Sequence, residues 1–462
     1  MTNKFTHNFF SFSDRKDLTA VIKPGTIISY NDLFDGANQL AYSLSSSGIS
    51  KSNYVPLLIE DNFHFIQVTI ALWILGAIPV PLNIKLLDEE IISIVDDYDF
   101  KELITDKKFE ILSVDERKVD SRKYEIKDYP ALNDEAVVIF TSGSTGRPKG
   151  VVHTFSSLIN SIENGNRILQ QSENDRWLAS LLFYHIGGFQ ILCRSLYYGC
   201  SIIIPESFQT NDLADAILNY KPTHLSLVST QLERLIHQKV NPGESLKVSL
   251  LGGGFIDDEL IFEADKLGWK PLRVYGSSET ASMITAISAQ EIKSKPQSVG
   301  KSLKNVEVKI SSDSEILISS NTLFKYYLDD GKETSATLIN GYYHTGDIGF
   351  IDNDGYLFIE ARRNDLIVTG GENVNPIEVE NVLMGLPFIK DTCVFPKQSK
   401  TWGQIVAVAI VLTDSSIDEK AIKEILRQKL VGYKIPKKFF FTDVLPRTSL
   451  GKLEREKIRK MF

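Results

Sequence analysis

Along the first two thirds of the chain the apolar residues switch repeatedly between two periods, and the switching predicts helices alternating with short buried strands. Across residues 31–47, Leu33, Ala37, Leu40, Ala41 and Leu44 recur at helical spacing, and Gly48 is placed to end that helix. An unbroken apolar run at 54–59 reads as a strand. The pattern repeats as helix 62–76, strand 77–82, helix 88–98 and strand 103–105. It resumes with strand 135–140, helix 155–169, strand 177–182, helix 187–198, strand 201–205, helix 211–220 and strand 224–228. Two more strands, 247–251 and one beginning at 272, finish in glycines or polar residues. Such alternation is expected of a largely parallel sheet with helical crossovers.

Beyond about Ser298 the pattern shortens to strands and turns. Residues 348–360 predict a hairpin with Asn353-Asp-Gly355 at its tip. From Asp365 onward, a strand, helix 376–385, strands 390–396 and 405–412, helix 418–430 and strand 439–443 read as a small α+β domain of about a hundred residues. The expected fold class is therefore α/β: a large N-terminal domain of αβ-layered sheets, 1–363, and a small mobile α+β C-terminal domain, 364–462.

Composition narrows the function. A chain of 462 residues with 43% hydrophobic content holds more than one ordinary core. A net charge of -8 argues against nucleic acid as a partner, and it suits an enzyme whose positive charge is concentrated at one site. The longest apolar run, 68–82, is interrupted by Thr69, Gly76, Pro79 and Pro81, and a bilayer takes roughly 20 apolar residues. It predicts a buried helix passing into a strand, with no transmembrane segment. The N-terminus lacks a signal-type apolar core. Cys193, Cys200 and Cys393 show no metal-ligand spacing, and the seven histidines form no His-x-x-x-His pair. A reducing cytoplasm fits these features, a structural metal does not, and a homo-oligomer stays open.

The candidate chemistry centres on Thr141-Ser-Gly-Ser-Thr-Gly-Arg-Pro-Lys-Gly150. An apolar run leads into it and Val151-Val152 follow it. Its glycines permit a tight backbone turn, and its freed N–H groups, four hydroxyls (Thr141, Ser142, Ser144, Thr145) and two cations (Arg147, Lys149) suit a phosphate cradle. A Walker A loop needs Gly, four residues, then Gly-Lys-Ser/Thr. Five residues after Gly143 stands Pro148, and five after Gly146 stands Val151, so this is no P-loop NTPase. The strand at 247–251 ends in Leu251-Gly-Gly-Gly254, and the next strand runs into Tyr275-Gly-Ser-Ser-Glu-Thr280. In open α/β sheets ligands bind outside the carboxyl ends of strands, so the three loops are expected to line one crevice.

Further motifs follow in order: Tyr184-His-Ile-Gly-Gly188, Tyr343-His-Thr-Gly-Asp-Ile348, Ala361-Arg-Arg-Asn-Asp-Leu366, Gly370-Gly-Glu-Asn373 and Pro446-Arg-Thr-Ser-Leu-Gly-Lys452. The ordered set resembles the adenylate-forming (acyl-CoA synthetase, AMP-binding) superfamily from about residue 20 to the C-terminus. Within it, Gly-Gly-Gly, Ser-Glu-Thr-Ala-Ser, Gly-Gly-Glu-Asn-Val and Thr401-Trp-Gly-Gln404 are similar to the o-succinylbenzoate:CoA ligases of menaquinone synthesis.

The resemblance implies an AMP-forming acid-thiol ligase using ATP, Mg2+ and CoA as co-substrate. It places ATP and AMP at Thr141, Ser142, Gly143, Ser144, Thr145, Gly146 and Lys149. Tyr275 would lie on adenine, with Gly252, Gly253 and Gly254 opposite and Gly276, Ser277 and Ser278 alongside. Ser278 stands where threonine is usual, and either hydroxyl donates to the α-phosphate. Glu279 would hold the metal. Asp347 and Arg362 would bind the ribose.

Lys452 is expected to stabilise the charge that accumulates when a carboxylate attacks the α-phosphate. Outside the Pro446-Arg-x-x-x-Gly-Lys context it would read as part of a charged C-terminal helix. His185, Gly188, Arg194 and Ser229 are acyl-substrate candidates, His185 also counting with Lys452 and Glu279 as a catalytic candidate, with Arg194 as one partner for a second carboxylate and a structural helix arginine as its other reading. Asn364, two residues after Arg362, stands where many relatives carry an aspartate hinge, a departure that leaves its polar partner open. Gly370 and Gly371 would face CoA. Other readings are another aryl or fatty acyl-CoA ligase, a luciferase-like adenylate oxygenase, and a nucleotide-binding pseudoenzyme.

Overall fold

The computed structural model describes residues 9, 15–106, 122–126, 128–141, 148–254, 256–329, 332–335, 338–362, 367–369, 372–399, 402–414, 417–430, 432–448 and 451–462. In chain order the elements before the phosphate motif are β1 (Thr19–Lys23), β2 (Thr26–Ser29), α1 (Tyr30–Ser46), β3 (Tyr54–Leu58), α2 (Asn62–Leu75), β4 (Ile78–Pro81), α3 (Asp88–Asp97) and β5 (Ile104–Thr105). Around and after it come β6 (Glu135–Thr141), β7 (Lys149–Thr154), α4 (Phe155–Leu169), β8 (Arg176–Leu178), α5 (Ile186–Tyr198), β9 (Ser201–Ile203), α6 (Thr210–Tyr220), β10 (His224–Leu227), α7 (Ser229–His237), β11 (Val248–Leu251), α8 (Asp258–Lys266), β12 (Pro271–Ser277), β13 (Ser282–Ser288), α9 (Ala289–Ile292) and β14 (Lys301–Ser302). The later strands are β15 (Val306–Ile310), β16 (Glu315–Ser320), β17 (Tyr326–Asp329), β18 (Lys332–Ser335), β19 (Leu338–Ile339), β20 (Tyr342–Ile351), β21 (Leu357–Arg362), β22 (Ile367–Thr369) and β23 (Glu372–Val374). The chain closes with α10 (Pro376–Met384), β24 (Ile389–Ser399), β25 (Gly403–Leu412), α11 (Glu419–Lys429), β26 (Lys438–Phe441) and α12 (Arg455–Met461).

Two compact units result: Met1–Pro296 with Gly300–Glu307 and Ser319–Leu338, and Gln297–Val299 with Val308–Ile318 and Ile339–Phe462. The hairpin that carries Asp347 and Arg362 therefore belongs to the second unit.

The first unit is the mixed α/β body that the apolar pattern predicts. Its largest sheet has the order β14-β13-β12-β11-β10-β8-β9-β1-β2, parallel from β12 through β1 and antiparallel at both edges. A smaller parallel sheet has the order β4-β3-β5. The helix α2 is apolar on every side because every side is covered. Asp61 caps its start, accepting from the His64 N–H at 2.8 Å, and Gly76 ends it in the left-handed region at φ 71°. Trp73 of that helix is buried, and its indole N–H donates to the Ala136 carbonyl at 2.7 Å, fixing helix to strand.

Two expectations change. The strand predicted at 177–182 stops at Leu178, because Leu182 leaves the sheet to form a turn whose carbonyl accepts from the His185 N–H at 3.1 Å. The phosphate motif does not join a strand of the parallel sheet to a helix. It closes a hairpin between antiparallel β6 and β7, in a separate sheet of order β18-β17-β7-β6. A half-buried cluster ties that sheet to its neighbour: Tyr54 and Tyr326 donate to the two oxygens of Glu135 at 2.5 and 2.6 Å, and Lys325 reaches Oε1 at 2.7 Å.

The second unit holds a sheet of order β23-β22-β25-β24, with β26 parallel to β25. Val379, Leu383, Val408, Ile410, Ile422 and Leu426 pack together as its core, and the long β24–β25 hairpin is its frame. Among the described residues no helix is long and apolar enough to cross a membrane.

Candidate active site

The hairpin that carries the phosphate motif is built tightly at its base. Thr141 is the cross-strand partner of Lys149, and Phe140 of Gly150. A side chain at Gly150 would stand 2.9 Å from Val138 Cγ1 and 3.3 Å from Leu328 Cβ, so the glycine lets β17 lie against β7. Tyr98 packs edge-on to Phe140 and donates its hydroxyl to the Pro148 carbonyl at 2.8 Å. Ser142, Gly143, Ser144, Thr145 and Gly146 lie outside the described residues.

The other two expected loops follow adjacent strands, since β11 and β12 are parallel neighbours. Gly253 has φ 86°. A Cβ at Gly252 would stand only 3.0 Å from Val274 Cγ2, whereas one at Gly254 would meet nothing within 4 Å. Tyr275 is half-buried opposite Thr285, and the register slips between it and Gly276. At Gly276 a Cβ would lie 1.8 Å from the Ser282 carbonyl oxygen, so only glycine fits that bulge. Buried Thr280 shapes the turn: its hydroxyl accepts from the Ser277 N–H at 2.8 Å and donates to the Ser282 carbonyl at 2.7 Å.

Tertiary contacts bring the hairpin to this turn. His153 of β7 donates from Nε2 to the Ser278 carbonyl at 2.7 Å, and the Phe324 N–H donates to the Glu279 carbonyl at 2.8 Å. Tyr327 of β17 donates its hydroxyl to Glu279 Oε1 at 2.9 Å. The Lys149 ammonium lies 5.3 Å from the centroid of the same ring. The base of the phosphate loop, Ser278 and Glu279 are thus neighbours although they belong to two sheets. His153 is fully buried, and burial pushes its imidazole down to about 4, against the opposing pull of the Ser278 carbonyl and Glu279.

His153, Thr280 and Tyr327 are absent from the residues singled out in the sequence. Thr280 lies within a quoted motif, but Tyr327 has no local signal because β17 meets β7 from far along the chain.

The acyl candidates sit on α5 and α7. His185 caps α5 without a side-chain cap bond, its ring 4.4 Å from that of Tyr184, and burial pushes its pKa down to about 4. At Gly188 a Cβ would stand 2.2 Å from the Leu182 carbonyl oxygen, so this glycine lets the helix start against the preceding turn. Gln190 and Ser161 both donate to the Ala281 carbonyl, at 2.9 and 2.8 Å, which ties α5 and α4 to the Glu279 turn. Ser229 opens α7, directly after β10 and beside the glycines that follow β11.

Arg194 is 1% exposed. Nine residues along the helix from His185, at about 1.5 Å per residue, its Cα stands about 13 Å away. Its guanidinium lies 5.5 Å from the Trp177 ring and 3.4 Å from Ser282 Oγ, and burial pushes its pKa down to about 10. A bond from Arg194 to a ligand would require this packing to open.

In the second unit Asp347 and Arg362, 15 positions apart, are direct cross-strand partners on β20 and β21. Glu315 is buried and holds the turn before Asp347: its carboxylate bonds His344 Nδ1 at 2.9 Å and accepts from the Gly346 N–H at 2.9 Å. Lys452 is exposed beside α12, its N–H donating to Thr448 Oγ1 at 3.2 Å. Asn364, Gly370 and Gly371 lie outside the described residues.

Residues 11–328 match the model of the AMP-binding enzyme family, and residues 378–452 match that of the AMP-binding enzyme C-terminal domain. The 2-succinylbenzoate--CoA ligase of Bacillus subtilis is 31% identical over 459 residues, covering 95% of this chain and 94% of that protein. The corresponding ligase of Listeria monocytogenes serovar 1/2a is 31% identical over 455 residues, with 96% of each covered. Among solved structures, Bacillus subtilis o-succinylbenzoate CoA synthetase with its acyl-adenylate intermediate superposes with TM-score 0.90 at 30% identity, over 99% of this chain and 98% of that one. The same enzyme with ATP and magnesium ion gives 0.88 at 29% identity, over 99% of each. With both family segments in order and relatives matched end to end, the chain belongs to the AMP-binding family of adenylate-forming enzymes.

Proposed function

We propose that this chain ligates o-succinylbenzoate to CoA in two steps. A carboxylate oxygen attacks the α-phosphorus of ATP and the bond to pyrophosphate breaks. The CoA thiolate then attacks the acyl carbon and the bond to AMP breaks. The observation that carries the reading is the meeting of two sheets at Glu279, where Lys149, at the base of the phosphate loop, and the loop after β12 share the Tyr327 phenol.

Each side chain has a task in this reading. Lys149, with residues 141–146, takes the β- and γ-phosphates, whose charge calls for a cation and many donors. Tyr275 offers a half-buried ring to adenine, and Gly252, Gly253 and Gly254 leave room on the opposite side. Ser278 donates to the α-phosphate. The Glu279 carboxylate fits Mg2+: it is a hard oxygen donor, and among the described residues only Oε1 is engaged, leaving Oε2 for the cation. The metal would neutralise charge on the phosphates.

Asp347 accepts from the ribose hydroxyls and Arg362 donates to the same sugar, as their cross-strand register allows. Lys452 stabilises the charge that develops between carboxylate and α-phosphate. His185, neutral at ordinary pH because burial depresses it to about 4, contributes a polar wall rather than a charge to the acyl pocket. Asn364 serves as the hinge between 1–363 and 364–462, and its rotation withdraws Lys452 and brings Gly370 and Gly371 to the thiol.

Thioester formation assayed with o-succinylbenzoate, benzoate analogues and medium-chain acids tests the substrate. The highest kcat/KM is expected for o-succinylbenzoate, and a medium-chain acid preferred over it would overturn the assignment. Lys452→Ala tests the alternation: adenylation falls by orders of magnitude while thioester formation from supplied acyl-adenylate survives. Equal loss of both steps would sink it.

A further inference from the structure

Lys452 stands between two arginines, and both bond β24 of the second unit. Arg447, five residues before it, donates from Nη2 to both oxygens of Asp391 at 2.7 Å each, and from Nη1 to the Gly451 carbonyl at 2.7 Å. Arg455, three residues after it, pairs with Glu380 through Nη1–Oε1 and Nη2–Oε2, both 2.6 Å. Asp391 lies on β24 and Glu380 on α10. Glu380 is 8% exposed and also accepts from the Val394 N–H of β24 at 2.6 Å, while Arg455 Nη1 donates to the Val394 carbonyl at 2.9 Å.

Between the two clamps the chain folds back on itself. The Thr448 N–H donates to the Lys452 carbonyl at 2.7 Å, the Gly451 N–H to the Thr448 carbonyl at 2.9 Å, and the Glu454 N–H to the Pro446 carbonyl at 3.0 Å. Gly451, at φ 77°, supplies the left-handed turn this needs.

From this arrangement we infer that Asp391 and Glu380 are positioning residues for Lys452, clamping its loop to β24 so that the ammonium is presented in one geometry. The inference rests on the role given to Lys452 above. A lysine has a long flexible stem, and charge stabilisation in a transition state depends on where the backbone places it. The Arg455–Glu380 fork fixes orientation as well as distance, and on the other side of Lys452 one Arg447 nitrogen bridges both Asp391 oxygens while the other holds the Gly451 carbonyl. The carboxylates also occupy two guanidiniums that would otherwise compete for the same phosphate.

The test uses the full chain and two assays: acid-dependent ATP–pyrophosphate exchange, and thioester formation from supplied acyl-adenylate. Asp391→Asn is expected to lower kcat of the exchange by about 10- to 100-fold, as misplacement of a reacting group does. KM for ATP and thioester formation are expected to stay within about twofold of the parent, and Asp391→Glu to restore most of the exchange. In a Lys452→Ala background Asp391→Asn should have no further effect, because it acts through that lysine; a general folding defect would persist there. Should Asp391→Asn not fold, Arg447→Lys keeps the charge, loses the second nitrogen that holds the Gly451 carbonyl while the first holds Asp391, and is expected to show the same split.

Exchange in Asp391→Asn within about twofold of the parent, with Lys452→Ala inactive, overturns the clamp and leaves the role of Lys452 standing. Full exchange in Lys452→Ala overturns both.

Discussion

The Tyr327 hydroxyl donates to Glu279 Oε1 at 2.9 Å, and the face of the same ring lies 5.3 Å from the Lys149 ammonium. One aromatic side chain therefore touches both the carboxylate expected to hold the metal and the cation expected to hold phosphate. Tyr327 reaches this place because β17 pairs with β7, Tyr327 opposite Val151.

A hydrogen bond to a charged group contributes about 1.5–3 kcal/mol, and here that energy fixes the direction of the Glu279 carboxylate. Tyr327→Phe keeps the ring beneath Lys149 and removes the bond. The half-saturating Mg2+ concentration in ATP–pyrophosphate exchange is expected to rise about 10- to 100-fold, while kcat at saturating Mg2+ changes little. A magnesium titration identical to the parent's would show that the bond does not orient the metal ligand.

His153 gives stability a pH dependence of defined sign. Burial depresses its folded pKa from 6.5 to about 4, so below 6.5 the unfolded chain binds a proton that the folded chain refuses. Its contribution is present above pH 6.5 and is lost as pH falls toward 4, about 3 kcal/mol in all. Denaturant midpoints measured at pH 7 and pH 4.5 should lie closer together in His153→Gln than in the parent. An unchanged gap would refute the assignment.

Gly188→Ala would drive a methyl into the Leu182 carbonyl, 2.2 Å away. The start of α5 must shift, at a cost of about 1–3 kcal/mol. Thermal melts should show the loss. Because His185 caps the same helix, KM for the acid is expected to rise as well, and a variant with parental Tm and KM would mean the turn relaxes without strain.

Arg194→Lys separates packing from recognition. The guanidinium lies near the Trp177 ring and Ser282, its Nε without a hydrogen-bond partner among the described residues, and an ammonium cannot reproduce its planar fork. Loss of stability with KM for the acid unchanged is the expected result. A tenfold rise in KM at full stability would instead make Arg194 the ligand of the second carboxylate.

Much of the first unit is legible in the sequence. The helices α1, α4 and α6 show their spacing plainly, since each buries a stripe and local periodicity records which residues do so, whereas α2 shows as an apolar run too long for a strand. The strands β10, β11 and β12 read as short apolar runs because parallel strands are covered on both faces. The run at 177–182 misleads for the same reason: Leu181 and Leu182 are apolar whether they lie in a strand or in a packed turn.

The site divides along the same line. Residue type and motif order mark Lys149, Glu279, Asp347 and Lys452, because each bears a charge that folding seldom hides without a partner or a use. Tyr327, His153, Glu315, Asp391 and Glu380 stand outside every one of the ordered motifs. Each acts on a residue far away in the chain, and no local period encodes a distant partner.

By its order of apolar runs and motifs, the sequence alone determined the α/β class, the exclusion of a Walker A loop and the family. The tertiary structure decided that the phosphate motif closes a hairpin in its own sheet, that β17 delivers Tyr327 to Glu279, and that two arginine–carboxylate pairs flank Lys452. The physical reason is range. Periodicity and turn chemistry act over a few residues, whereas sheet pairing and ion pairs join positions that only the folded chain brings together.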